Sequence, residues 1–133
     1  MPFRRLIYMR KVIQTNGAPQ AIGPYSQAID AGGFVFVSGQ IPIDPTTSEV
    51  VEGIENQTHQ VMKNLNAILK EASITFQEVV KFTIYLNSMD DFAKVNEIYA
   101  TYLEQPYPAR ATVEVSRLPK DVLIEMDVIA VKS

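Results

Sequence analysis

The sequence predicts a two-layer α+β domain: one mixed β-sheet carrying two helices on one of its faces. Three observations along the 133 residues predict it. Apolar residues recur at helical spacing from Ile54 to about Ala72, alternate with polar ones from Val79 to Asn87, and return to a helical stripe from Asp90 to Glu104. Alternating runs also precede the first helix and follow the second. The resulting order β, β, β, α, β, α, β, β lets both helices cover the same face of a single sheet.

Arg10 to Thr15 forms a first short strand, ended by Asn16-Gly17, and the chain continues through Pro19 to the turn Ile22-Gly23-Pro24-Tyr25. Gln27 to Ala31 and Phe34 to Ser38 are strands joined by Gly32-Gly33, a dipeptide that accepts the positive φ angles of a tight hairpin. Gly39-Gln40-Ile41-Pro42 ends the second of them, and Asp44 to Ser48 is a surface turn. In the first helix Ile54, Thr58, Val61, Met62, Leu65, Ile68, Leu69 and Ala72 share one stripe, opposite Asn56, Gln60, Lys63, Lys70 and Glu71. In the next strand Phe82, Ile84 and Leu86 point one way and Lys81, Thr83, Tyr85 and Asn87 the other. Ser88 caps the second helix, whose buried stripe is Phe92, Val95, Tyr99, Tyr102 and Leu103. Arg110 to Ser116 and Val122 to Val131 are expected to close the sheet as an antiparallel pair. Val113, Val115, Ile124, Met126 and Val128 would then place apolar groups on more than one side of the sheet. A face left bare in this way asks for a partner, so a homo-oligomer packed sheet to sheet is expected.

Length and composition bound the function. The chain suits one domain over residues 1–133, and 47% apolar with 20% charged residues is the balance of a folded, soluble protein. With no cysteine, disulfides, thiolate nucleophiles and Cys-bound metals are excluded. No apolar run approaches the roughly 18 to 20 residues that span a bilayer, so no membrane partner is expected. A net charge of −3 makes nucleic acid an unlikely partner, because a phosphate backbone repels the chain as a whole. Residues 1 to 11 carry Arg4, Arg5, Arg10 and Lys11 without an acid, leaving the remainder at −7. This leader lacks the apolar core and cleavage site of a secretion signal and is serine-free for an organelle signal. Met9 is an equally good initiator, so residues 1–8 read as an extension or alternative start, and the cytoplasm is the expected compartment.

Few residues carry chemistry. His59 is the single histidine, without a second metal ligand at useful spacing, and reads as a solvated helix residue. No Walker or GxGxxG loop is present. Polar groups at the ends of regular elements remain: Tyr25 after its Gly-Pro turn, Ser38-Gly39 at a strand end, and Arg110, which two prolines deliver at the mouth of a strand. A planar guanidinium suits a carboxylate, either a neighbouring Asp or Glu or that of a ligand. Glu125, between apolar Ile124 and Met126, is either a buried ion-pair partner or a group that holds water. The antiparallel closure of the last two strands would set Glu125 near Thr112 and Arg110.

Several stretches together resemble the RidA/YjgF family of enamine/imine deaminases. They are Ala21-Ile22-Gly23-Pro24-Tyr25-Ser26-Gln27, Ser38-Gly39-Gln40-Ile41-Pro42, Asp91-Phe92-Ala93-Lys94-Val95-Asn96 and Pro108-Ala109-Arg110-Ala111-Thr112-Val113-Glu114-Val115, with Leu118-Pro119 and Ile124-Glu125. The match runs from about Met9 to the end. The resemblance implies a chorismate-mutase-like fold, a homotrimer with three ligand sites in the clefts between subunits, and hydrolysis of 2-enamines and 2-imines such as 2-aminoacrylate and 2-iminobutyrate to 2-keto acids and ammonia. By position it gives Arg110 the substrate carboxylate and Glu125 the attacking water. Tyr25 and Ser38 would line the pocket, Gly39 and Thr112 would meet the ligand through backbone, and Phe92 and Asn96 would shape the wall. Many members carry cysteine where this chain has Thr112. Imine hydrolysis needs no metal or cofactor, because a protonated C=N is already electrophilic. Two other readings stand beside it: a non-catalytic module that binds small carboxylates, and a nuclease, since some relatives are described as ribonucleases or translation inhibitors.

Overall fold

The computed structural model describes residues 10–132; the reading of residues 1–8 as an extension lies outside them. Strands β1 (Arg10–Ile13), β2 (Ala28–Ala31), β3 (Phe34–Gln40), β4 (Ile43–Asp44) and β5 (Glu49–Val50) precede helix α1 (Ile54–Glu71). Strand β6 (Val79–Leu86), helix α2 (Phe92–Thr101), strand β7 (Ala109–Glu114) and strand β8 (Ile124–Val131) follow. Six strands form one mixed sheet in the order β1-β2-β3-β8-β6-β7, with β4 and β5 paired separately. Only β6 and β7 run parallel.

Local signals explain most elements. Gly32 and Gly33 hold φ of 62° and 94° in the two-residue turn between β2 and β3, and Asp30 Oδ1 accepts a hydrogen bond from Gly33 N at 3.0 Å. All eight residues of the expected α1 stripe are buried. Phe82, Ile84 and Leu86 of β6 meet that stripe at the centre of the core. The Ser88 cap serves a 3-10 turn, Met89–Asp91, that leads into α2, so this helix begins and ends inside its expected bounds. His59 differs from expectation: it is half-buried, with Nδ1 2.7 Å from the Tyr102 hydroxyl.

The expected antiparallel pairing of the last two strands is wrong. The connection from β6 to β7 contains a helix, which returns β7 parallel to β6 at the sheet edge. The segment after β7 then crosses back, and β8 inserts antiparallel between β3 and β6. Ile124, Met126 and Val128 therefore lie under the helices rather than on a second apolar face. That second face exists, with Val113 from the expected set and the rest from other residues. In register across it stand Val12, Ile29, Phe36 and Ile129, with Phe34 and Val131 beside them. Val12, Phe34, Phe36 and Val113 are 65%, 50%, 46% and 42% exposed, a larger apolar area than scattered single residues would give.

Buried amides tie the loops to this frame. Gln27, 2% exposed, accepts from Thr15 N at 2.7 Å and donates to the carbonyls of Thr15 at 3.0 Å and Pro19 at 2.8 Å. Gln57 bridges Val51 and Leu123, and Asn64 donates to the carbonyls of Ile41 and Ile43. Gln27→Leu removes these partners at nearly constant volume. It is expected to lower the unfolding free energy by about 2–4 kcal/mol, read from denaturant midpoints at fixed protein concentration; an unchanged midpoint would show that the loop before β2 is held by other contacts.

Candidate functional site

Strand register decides where each candidate side chain goes. Phe82, Ile84 and Leu86 pair with Arg110, Thr112 and Glu114, so these three residues of β7 share the helix-covered side of the sheet. On α2, Phe92, Asn96 and Tyr99 recur at helical spacing and face the same edge strand. Arg110 Nη1 donates to Asn96 Oδ1 at 2.6 Å, and its guanidinium carbon lies 5.3 Å from the Phe92 ring centre and 5.2 Å from that of Tyr99. Two such rings hold the cation without neutralising it. Among the described residues the ion pairs are Arg117–Asp121 and Lys132–Asp30, and none of them involves Arg110. The pairing with a neighbouring Asp or Glu that the sequence left open is not among these ion pairs. Burial lifts the Tyr99 phenol above its ordinary value, with the nearby Arg110 charge acting against this. Glu114 Oε1 accepts from Met89 N at 2.8 Å, fixing the start of α2 to the same strand. A cleft of about 470 Å³ opens here, lined by Asn96, Tyr99, Ala100, Tyr107, Pro108 and Arg110. Beside it the Thr112 hydroxyl is buried without a hydrogen-bond partner.

A second group lies on the other face. Val37 pairs with Val128 and Gln40 with Met126, so Ser38 and Gly39 together oppose the single residue Asp127 in a β-bulge. The bulge brings Gly39 under the Glu125 carboxyl group: a Cβ there would stand 2.9 Å from Glu125 Cδ, with Oε2 nearer still. Gly39 is thus required by close approach, to this side chain in the first place. Ser38 Oγ donates to the Ser26 carbonyl at 2.6 Å and Ser38 N to that of Gln27 at 2.9 Å, which moors the loop carrying exposed Tyr25. Tyr25, Gly39, Gln40 and Lys120 line a cleft of about 340 Å³.

Glu125 is half-buried, and loss of hydration, followed by the charge of Asp127, raises its pKa above the usual carboxylate value. Tyr85 stands in register with Glu125 on the neighbouring strand, and its hydroxyl donates to Asp127 Oδ2 at 2.9 Å. Burial raises the Tyr85 phenol, as do the hydrogen bond to Asp127 and the charges of both acids. Sequence reasoning set Tyr85 opposite Phe82, Ile84 and Leu86 without giving it a role, and passed over Asp127. The signal was the alternation Glu125-Met126-Asp127, which puts two acids on one face.

One chain does not bring Arg110 and Glu125 together. They occupy opposite faces, with β6 between their strands; two strand spacings and three residues along the strand separate their backbones by about 14 Å. The expected nearness of Glu125 to Thr112 and Arg110 depended on a strand pairing that does not form. Arg110, Asn96, Phe92 and Thr112 make one group, and Tyr25, Ser38, Gly39 and Glu125 a separate one.

Such a sheet, with an arginine that pairs with no acid among the described residues on one side and a half-buried acid on the other, defines a small α+β domain with two separate groups of polar residues. The family model described as Endoribonuclease L-PSP matches residues 15–132. A RutC family protein of Pyrococcus horikoshii is 58% identical over 125 residues, 93% of this chain and 99% of that one. The crystal structure of a Rid family protein from Yersinia pestis superimposes with a TM-score of 0.90 at 51% identity, covering 92% of this chain and 98% of the other. Escherichia coli TdcF, provisionally named a reactive intermediate deaminase, is 41% identical over 128 residues; its structure with bound serine has a TM-score of 0.89 and covers 92% of this chain and 99% of its own. The chain belongs to the Rid family, the RidA/YjgF group.

Gly39→Ala tests the packing of the second group. The added methyl group must displace the Glu125 carboxyl, and the variant is expected to lose about 1–3 kcal/mol of stability; a melting temperature equal to wild type would mean that Glu125 is free to move aside.

Proposed function

We propose that this chain hydrolyses 2-enamines and 2-imines, among them 2-aminoacrylate and 2-iminobutyrate, to the 2-keto acid and ammonia. The sites are clefts between the subunits of a homotrimer, where the Arg110 half of one subunit meets the Glu125 half of the next. The observation that carries the reading is Arg110, oriented by Asn96, Phe92 and Tyr99 yet left without an acid. Its fork takes the substrate carboxylate in two parallel hydrogen bonds. The placement of the two halves on opposite faces, and the apolar face that a further copy would cover, support an assembly in which neighbouring subunits complete each site.

Glu125 orients a water against the C=N carbon. As the oxygen attacks the iminium form, a water proton passes to Glu125 and a carbinolamine results. Glu125 then returns that proton to the nitrogen, the C–N bond breaks with ammonia as the leaving group, the hydroxyl loses its proton to solvent, and keto acid and ammonia leave. A carboxyl group with a raised pKa suits both transfers, because it releases and accepts a proton nearer neutrality. Tyr25 closes the pocket, and Ser38 contributes by holding the Tyr25 loop. A nuclease reading gains little from a chain of net charge −3 whose single histidine contacts Tyr102. The binding-module reading is separated by Glu125→Gln, which retains a small carboxylate ligand and loses turnover if the chain is an enzyme.

The test is 2-keto acid release from 2-aminoacrylate and 2-iminobutyrate generated in place by a threonine dehydratase. Wild type is expected to accelerate release, and Arg110→Ala to lose about 100-fold or more in kcat/KM. Arg110→Lys should also be poor, since an ammonium does not reproduce the fork. Near-normal turnover by Arg110→Ala would overturn the reading.

A further inference from the structure

We propose that Asp127 and Tyr85 are positioning residues for this reaction: they keep Glu125 able to give its proton to the departing nitrogen. The inference rests on the deaminase reading and concerns groups outside the substrate-binding set. Its basis is geometric. Glu125 and Asp127 project from the same face of β8, and Tyr85 stands beside Glu125 on β6. The Tyr85 hydroxyl, 2.9 Å from Asp127 Oδ2, fixes the second carboxylate in place by donating to its ionised form. On the other side Gly39 and the bulge confine the Glu125 carboxyl group.

The consequence is electrostatic. An ionised, hydrogen-bonded Asp127 that cannot swing away makes a second negative charge beside it costly, so Glu125 retains its proton more readily. Burial and Asp127 are the two causes acting on Glu125 within the chain. The other titratable groups that face this region are Tyr85 and Lys81 from β6, with Tyr25 and Lys120 around the cleft over Gly39. Lys81 pairs with Ile129, two rows beyond Asp127's neighbour Glu125 on the same face. In the proposed assembly Arg110 from across the interface would oppose the effect of Asp127 in the empty site. Bound substrate neutralises Arg110 with its carboxylate, leaving Asp127 as the charge that Glu125 meets while the C–N bond breaks.

The pH dependence of kcat reports the loaded enzyme and is the appropriate readout. Where breakdown of the carbinolamine limits kcat, the proton that Glu125 took from water is lost to solvent as pH rises before it can reach the nitrogen, giving a basic limb. In Asp127→Asn that limb should move to lower pH, and kcat near pH 8 should fall about tenfold while KM is retained. Asp127→Glu keeps the charge and should keep the limb near its wild-type position. Tyr85→Phe frees the carboxylate and should lower kcat with little change in KM. A folded Asp127→Asn oligomer with its basic limb unmoved would overturn the inference and leave the deaminase reading intact. If Asp127→Asn does not fold, a Tyr85→Phe variant with wild-type kcat throughout the pH range would overturn it equally. A wild-type protein that releases no keto acid would overturn the deaminase reading, and this inference with it.

Discussion

The position of every candidate side chain depends on the register of β6 with its two neighbours. Phe82, Ile84 and Leu86 have no exposed surface, because α1 and α2 press on that side of the strand. Each is paired on both sides, to Arg110, Thr112 and Glu114 on β7 and to Val128, Met126 and Ile124 on β8. Parity then leaves no choice: Arg110 must emerge toward the helices, and Glu125 and Asp127 must emerge on the opposite face. A slip of one residue would expose the largest core side chains and exchange the faces of both half-sites. The burial that stabilises the fold therefore also sets the chemistry.

Two consequences follow for energetics. An arginine at an edge strand, held by rings and one amide, retains most of its capacity to attract an anion, since neither contact supplies a countercharge. On the other face, two carboxyl groups share a region with a phenol, beside a stretch of Val, Ile and Phe. Isolated in water, such a surface is poorly used; covered by a further copy, it would bury apolar area and bring a cation toward the acids.

Much of this was legible from local pattern. The α1 stripe, the Gly32-Gly33 turn and the alternation of β6 each rest on interactions between residues close in sequence, and each appears at its expected place. The pairing of β8 was not legible in the same way. Neighbouring strands in sequence commonly pair in space, but the helix between β6 and β7 leaves a gap beside β6 that β8 fills. Its strict alternation, with Ile124, Met126, Val128 and Ala130 buried, fits a central strand, although alternation alone does not name the neighbours. The motif residues were found, while their division between two faces was hidden until register was known. Tyr85 and Asp127 were missed for the same reason, since their contact crosses 42 residues of sequence.

The central claim is that a working site takes Arg110 from one subunit and Glu125 from another, and subunit mixing tests it most directly. Arg110→Ala and Glu125→Gln should each be inactive as pure oligomers. Dissociated, mixed in equal amounts and reassembled, they should recover about one quarter of wild-type activity, because in a ring assembled at random one interface in four joins the two intact halves. A mixture shown by native mass spectrometry to contain hybrid oligomers, yet no more active than its parents, would contradict the account.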